Sequence, residues 1–363
     1  PRRRQRSRHT RRDVGRHSSH HRIARAWNLG VAVSRVAVSA PGKAFLCGEY
    51  AVTEGAPAIV AAVDRRVVAG FGGTKGDGYP LGPEAAATLE LTRQTFGPAP
   101  APVVLDRREL FEGETKLGLG SSAAGAVAVA GAVAAHHGHD LEAPAVRRRI
   151  LSVALSGHEQ VAPDGSGADV ATATHGGFIR FERSRGRQIE VERESPPPTL
   201  VLSLIWTGTA VRTSDLLRSV THLRASNPKG YDEIMATLRE AAEHFALAFH
   251  HGEVPCITAA VRLYHETMAA LGRAANAPIV DSSLAAIAEA ATREGGAAKP
   301  CGAGGGDVAV AFFSDKNAAR RFEVRCAANG LKPLPVTWGA SGIHNSARLW
   351  ARKTPAAVGF ANR

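Results

Sequence analysis

Residues 115–138, TKLGLGSSAAGAVAVAGAVAAHHG, join a glycine loop to a run built almost wholly of Ala, Val and Gly. Small apolar residues on every side of a helix predict tight burial between other elements. Gly118 and Gly120 let the backbone approach an anion closely, and the first free N–H groups of the helix point at it. The helix N-terminus adds about half a positive charge. The guest this predicts is a polyphosphate. Two other phosphate motifs fail here. The pattern GxxxxGK[ST] is absent: Lys43 follows Gly42, but Ala44 stands in the hydroxyl position and the upstream glycine is missing. The spacing GxGxxA, with Asp140 about twenty residues on, superficially suits a dinucleotide site. The residues before it, GETKLG, however, form a charged loop and not a buried strand.

Upstream of that stretch, VAVSA (36–40) reads as a buried strand ending at Ala40-Pro41-Gly42-Lys43, and AFLCGEYAV (44–52) as a second strand after the Pro-Gly break. VDRRVVAGF (63–71) and ATLELTR (87–93) continue the strand-like character. Downstream, residues 143–160 carry apolar side chains at i, i+3, i+4 spacing and predict an amphipathic helix. The small-residue segment Gly165-Ser166-Gly167-Ala168-Asp169-Val170-Ala171 then precedes a strand, GGFIRFER (176–183). SPPPT (195–199) marks the boundary, because three prolines neither continue a helix nor sit inside a sheet. After it come a buried strand, LVLSLIW (200–206), and helical segments near 214–226, 229–251, 255–274 and 282–295. A second glycine loop, KPCGAGGGD (299–307), precedes a strand at 308–313, a helix near 315–329 and a strand, KPLPVTW (332–338). The glycines at 302, 304, 305 and 306, with apolar sequence on both sides, predict a backbone-lined pocket. Strands alternating with helices in both halves predict α/β or α+β layers.

A chain of 363 residues suits two domains, and 44% hydrophobic with 21% charged residues excludes wholesale disorder. No run of about 18 apolar residues offers a membrane span. The formal charge of +12 raises nucleic acid or an anionic membrane as partner. Residues 1–30, however, hold ten arginines against one acid, Asp13, which leaves 35 basic against 32 acidic residues for the rest. That tail shows neither the aromatic interleaving of a nucleic-acid arm nor an amphipathic transit repeat, and reads as a basic disordered extension outside the folded body. Cys47, Cys256, Cys301 and Cys326 are scattered singly, which argues against a disulfide framework or zinc site and for a reducing cytoplasm. His136, His137 and His139 read as cations at a helix C-terminus, not as a metal cluster.

APGKAFLCGEY, KLGLGSSAA and KPCGAGGGD, in that order, resemble the three signatures of the GHMP kinases, the superfamily of galactokinase, homoserine kinase, mevalonate kinase and phosphomevalonate kinase. The resemblance spans about residues 34–345. Lys116 before GLGSSA, GSGADVA followed by HGGFIRF, and WTGTAVRTSDLL (206–217) are most similar to the phosphomevalonate kinase members. Mevalonate kinases tend instead to carry a Pro-Ser-Gly-Val-Asp type segment. Cys301 departs from the serine usual at its position.

The resemblance implies an α+β two-domain GHMP kinase fold. An N-terminal domain like the second domain of ribosomal protein S5 (31–194) would face a ferredoxin-like C-terminal domain (200–350) across a cleft, flanked by tails at 1–30 and 351–363. It implies ATP and Mg²⁺. Lys116, Gly118, Leu119, Gly120, Ser121, Ser122 and Ala123 would hold the ATP phosphates, with Ser122 and Glu159 on the metal. Lys43 and Asp169 would be catalytic, close to one another. Lys43, Lys299, Arg212 and Ser214, with Gly302, Ala303, Gly304 and Gly305, would hold the acceptor. Phosphoryl transfer asks mainly for alignment and charge neutralisation, so Asp169 would orient or deprotonate the attacking oxygen and Lys43 would stabilise the transferring group. The implied reaction phosphorylates phosphomevalonate to diphosphomevalonate, with the mevalonate hydroxyl as alternative acceptor. The expected enzyme is cytoplasmic, a monomer or homodimer, with no specific nucleic acid and no membrane partner. A nucleic-acid-binding protein acting through the tail is the rival of another class.

Overall fold

The computed structural model describes residues 36–72, 81–184, 188–210 and 212–346; the readings placed on 1–30 and 351–363 lie outside them. The spine of the first half is an antiparallel pair, β1 (Ala37–Cys47) and β2 (Ala58–Phe71). Pro41-Gly42 does not divide β1 into two strands as expected. The register slips there as a bulge and the strand runs on through Lys43, because two extra residues on β2, Asp64 and Arg65, absorb the missing proline donor without ending the ladder. The sheet is completed by β3 (Val103–Asp106), β6 (Phe178–Arg183) and β7 (Ile189–Glu194), with β12 (His344–Asn345) beside β1. The short strands β4 (Phe111–Glu112) and β5 (Thr115–Lys116) pair with each other ahead of the first glycine loop.

Among the described residues, four α-helices belong to this half: α1 (Pro83–Phe96), α2 (Ser121–His136), α3 (Pro144–Val161) and α4 (Ala168–His175). The small-residue helix α2 is the centre of the core. Every residue from Ala123 to Ala134 is buried, between β1 and β2 on one side and α1 and α3 on the other. Side chains no larger than valine let all these elements approach it. Two strand expectations are corrected. ATLELTR lies in α1, where Ala85, Thr88, Leu89, Thr92 and Phe96 are buried at helical spacing and Pro83 starts the first turn. Asp169 stands in the first turn of a helix, α4, and does not lead directly into a strand.

The three prolines lie between Glu194, the end of β7, and β8 (Val201–Trp206), the first strand of a second sheet. Helices α5 (Thr213–Ser226), α6 (Pro228–His251), α7 (Val254–Ala274) and α8 (Ser282–Arg293) precede β9 (Ala297–Pro300) and β10 (Val308–Phe313). Helix α9 (Lys316–Ala328) and β11 (Lys332–Pro333) follow. The sheet order β11-β8-β10-β9, all antiparallel, is 4-1-3-2 when counted within this half, the ferredoxin-like arrangement. KPLPVTW supplies only the two residues of β11, since Pro333 and Pro335 cannot donate to a ladder.

The expected C-terminal unit, 200–350, is also corrected at its end. After β11 the chain returns to the first sheet through bridges Val63–Trp338 and Gly176–Ser341 and the β1–β12 pair. Arg66 fastens this return, donating to Ser39 Oγ (2.9 Å), Ser341 O (2.8 Å), Gly342 O (2.7 Å) and His344 Nδ1 (3.1 Å). Among the described residues no helix is long and apolar enough to cross a membrane.

His344 accepts from Arg66 only as the neutral ring, and burial, then the Arg66 charge, holds its pKa below the ordinary histidine value. Burial lowers His175 and His265 as well. The folded state thus binds fewer protons than the unfolded chain below about pH 6.5, so stability is full above that pH and falls as pH drops through the folded pKa values. Thermal melts from pH 7.5 to 5 are expected to show a falling Tm, less steeply in His344→Asn. Equal slopes in the two proteins would remove His344 from the account.

Candidate active site

The first glycine loop is held open at the start of α2 by backbone geometry. Gly120, the N-cap, has φ +77°, and a Cβ there would meet Lys43 Cγ at 3.0 Å. Ser121 and Ser122 are half-buried, and no side chain caps the helix. The first-turn N–H groups, which have no intrahelical acceptor, therefore face outward as an anion cradle. Leu119 is buried and offers backbone only: its carbonyl accepts from Lys43 N at 2.9 Å. Lys116 is exposed on β5.

Lys43 sits where the three motifs meet. It is 8% exposed, its Nζ donates to Gly118 O at 3.4 Å, and the same atom lies 5.2 Å from the Phe45 ring centroid. A Cβ built on Gly302, from the second glycine loop, would be 3.9 Å from that Nζ. A Cβ on Gly118 would meet Asp307 Cβ at 2.6 Å, so both glycine loops touch across the cleft.

The second loop is packed, not slack. Gly304 has φ +85°, and a Cβ there would fall 2.0 Å from Ile279 O. Gly305 N donates to Ile279 O at 2.9 Å, Asp307 N to Thr209 O at 2.9 Å and Tyr50 OH to Ala303 O at 2.6 Å. Gly304→Ala is expected to cost about 2–4 kcal/mol, from positive φ and backbone overlap combined. Urea denaturation checks it; a midpoint unchanged from the parent would show that the loop yields freely.

Lys299 does not stand in the cleft as a free cation for an acceptor. It is 1% exposed, ion-paired with Glu49, and donates to Pro300 O at 2.9 Å. The same Glu49 oxygen accepts from Gly302 N at 3.2 Å, and Tyr264 OH donates to the Glu49 carbonyl at 2.6 Å. A charge buried this deeply is tolerated only when paired, so the pair bolts the second glycine loop to the end of β1. Burial pushes the neighbouring Cys301 thiol up, which keeps it protonated.

Asp169 is half-buried, and Val170 N donates to its Oδ1 at 2.9 Å. Helix α4 packs on β1, the strand that carries Lys43. The expected closeness of Lys43 and Asp169 does not amount to a direct ion pair among the described residues. Glu159 pairs with Arg183. Arg212 and Ser214 are exposed at the start of α5, with Asp215 N donating to Arg212 O at 2.9 Å. No group of three or more His, Cys, Asp or Glu among the described residues could hold a metal ion. His136 and His137 meet edge to face, His136 also meets Phe71, His137 reaches Pro98 O, and His139 meets Phe96.

A cavity of about 370 Å³ is lined by Tyr50, Glu54, Gly165, Ser166, Arg183 and Arg224 among others, beside the Asp169 turn. A larger one, about 510 Å³, lies between α8 and α9 and is lined by no residue of the three motifs, whereas the smaller takes Tyr50 from the first motif. Nothing local in the chain marks the contacts that Glu49, Arg183 and Asp307 make. Glu49 and Asp307 stand in two of the three motifs and Arg183 in none; Glu49 finds its partner 250 residues on, at Lys299, and Arg183 finds its own in α3 and the turn after it.

Residues 86–177 match the GHMP kinases N terminal domain and residues 256–331 the GHMP kinases C terminal domain. The chain is 28% identical to a phosphomevalonate kinase of Streptomyces sp. (strain CL190), over 84% of this chain and 97% of that one. It is also 28% identical to a mevalonate kinase of Thermococcus sibiricus, over 85% of this chain and 98% of that one. The phosphomevalonate kinase of Streptococcus pneumoniae, solved with phosphomevalonate and AMPPNP, superposes with a TM-score of 0.70 at 19% identity, covering 84% of this chain and 99% of that one. That likeness speaks to fold alone.

Proposed function

The chain belongs to the GHMP kinase family, and from that premise we propose that it transfers the γ-phosphoryl group of ATP to phosphomevalonate, giving diphosphomevalonate and ADP. The observation that carries this reading is the convergence of both glycine loops on Lys43. Amides at the start of α2 bind the ATP phosphates, with Lys116 at the mouth. The second loop, Gly302 to Gly305, closes the other wall. An acceptor phosphate oxygen attacks the γ-phosphorus as the bond to the ADP oxygen breaks. Asp169 orients that acceptor and takes the proton a monoanionic phosphate still carries. Lys43 neutralises charge on the phosphoryl group in flight. Arg212 and Ser214 reach the acceptor from α5.

The residues present fit Mg²⁺ in one way. It keeps several waters and needs only one or two protein oxygens beside the phosphates, and the uncapped Ser122 hydroxyl is such a donor. Glu159, already paired with Arg183, is the weaker ligand. When bound, the metal neutralises the charge of the phosphates.

A second reading makes the mevalonate hydroxyl the acceptor. The burial of Lys299 favours it, because a phosphorylated acceptor asks for more cations than the cleft offers once Lys299 is engaged by Glu49. Phosphorus NMR of the product separates the two. A coupled pair of diphosphate resonances besides those of ADP is expected, whereas a single monophosphate resonance would establish the second reading.

A further inference from the structure

The turn that delivers Asp169 is clamped from outside by a residue no motif contains. Arg183, at the end of β6, has a side chain 13% exposed. Its Nη1 donates to both Gly165 O and Ser166 O at 3.1 Å, and its Nη2 donates to Glu159. The turn is closed on its inner side too: a Cβ on Gly165 would lie 2.8 Å from His158 Nε2, and one on Gly167 would lie 2.5 Å from Leu155 Cδ2. Gly167 then enters α4 with φ +83°, and Asp169 follows two residues later. The end of β6, α3 and the turn are thereby tied through one guanidinium. Only a planar fork carries donors in this geometry; an ammonium is a point charge without it.

We propose that Arg183 is a positioning residue for phosphoryl transfer, fixing the Gly165–Gly167 turn and through it the direction of the Asp169 carboxylate. The inference rests on Asp169 as the acceptor-orienting base. Releasing the two carbonyls lets the turn drift, and a drift near 1 Å costs about 10²-fold in rate when reacting groups must be aligned. Binding of ATP, assigned to amides at the start of α2 that Arg183 does not contact, is expected to persist.

The experiment is a double-mutant cycle on kcat with Arg183→Met, Asp169→Ala and both, with Arg183→Lys as the variant that keeps the charge and the Glu159 partner. Arg183→Met and Arg183→Lys are expected to lower kcat about 10–100-fold, with KM for ATP within about twofold. In the double variant, removing Arg183 should cost nothing beyond Asp169→Ala, since it acts through a carboxylate no longer there. Full multiplication of the two losses, or an unchanged kcat in Arg183→Lys, overturns the proposal. A fall in kcat matched by an equal rise in KM for ATP and a collapsed melt assigns Arg183 to general stability and overturns it too. If Asp169→Ala alone leaves kcat intact, the base assignment fails, which the cycle distinguishes from failure of Arg183.

Discussion

Asp169→Ala is expected to lower kcat about 10²–10⁴-fold, the range for a positioned acid–base group, with ATP affinity within about twofold. Asp169 stands in the first turn of α4, with one oxygen tied by Val170 N and no partner for the other among the described residues. That second oxygen is free to meet an acceptor. The phosphate cradle at the start of α2 is built from backbone amides and a different helix, so ATP loses nothing when the carboxylate goes. Isothermal titration with a non-hydrolysable ATP analogue, beside steady-state kinetics, reads both quantities. Turnover at the parent rate would remove Asp169 from the reaction.

Lys43→Met is the second large effect, an expected loss of about 10²–10³-fold in kcat. The side chain is long, unbranched and almost wholly enclosed by Gly118, Gly120, Phe45 and the second loop. Methionine fills much the same space without the charge, so the folded state should survive and the loss should fall on the chemical step. Arginine is not a mild replacement. Its wider, planar head would have to fit where the Lys43 Nζ already lies against Gly118 O and the Phe45 ring, facing Gly302 of the second loop. Lys43→Arg should therefore recover little of the activity. Recovery to near the parent rate would mean that Lys43 acts as a diffuse charge in an open site.

Much of this could be read from the chain because its signals are local. The all-small helix at 121–136 is buried as its composition requires, and the break at 196–198 falls between the two sheets. The glycine loops lie where glycine alone permits the backbone. What failed to show depends on partners distant in sequence. Lys299 looks like a solvated or substrate-facing cation until Glu49, 250 residues earlier, is seen beside it. ATLELTR alternates like a strand, yet its burial repeats at helical spacing against α2 and α3. Arg183 is one of many arginines; only folding brings the carbonyls of Gly165 and Ser166 to it. The charge of +12 that invited a polyanionic partner lies largely in residues 1–30, while the lysine on which the two glycine loops converge, Lys43, is enclosed.

ADP release measured in parallel with phosphomevalonate, mevalonate, homoserine and galactose tests the central claim most directly. A kcat/KM for phosphomevalonate at least about 100-fold above every other acceptor is expected, since Lys43 and Arg212, in their proposed roles, lose a phosphate partner with an acceptor that lacks one. A preference for mevalonate, or ATP turnover indifferent to the acceptor, would contradict it.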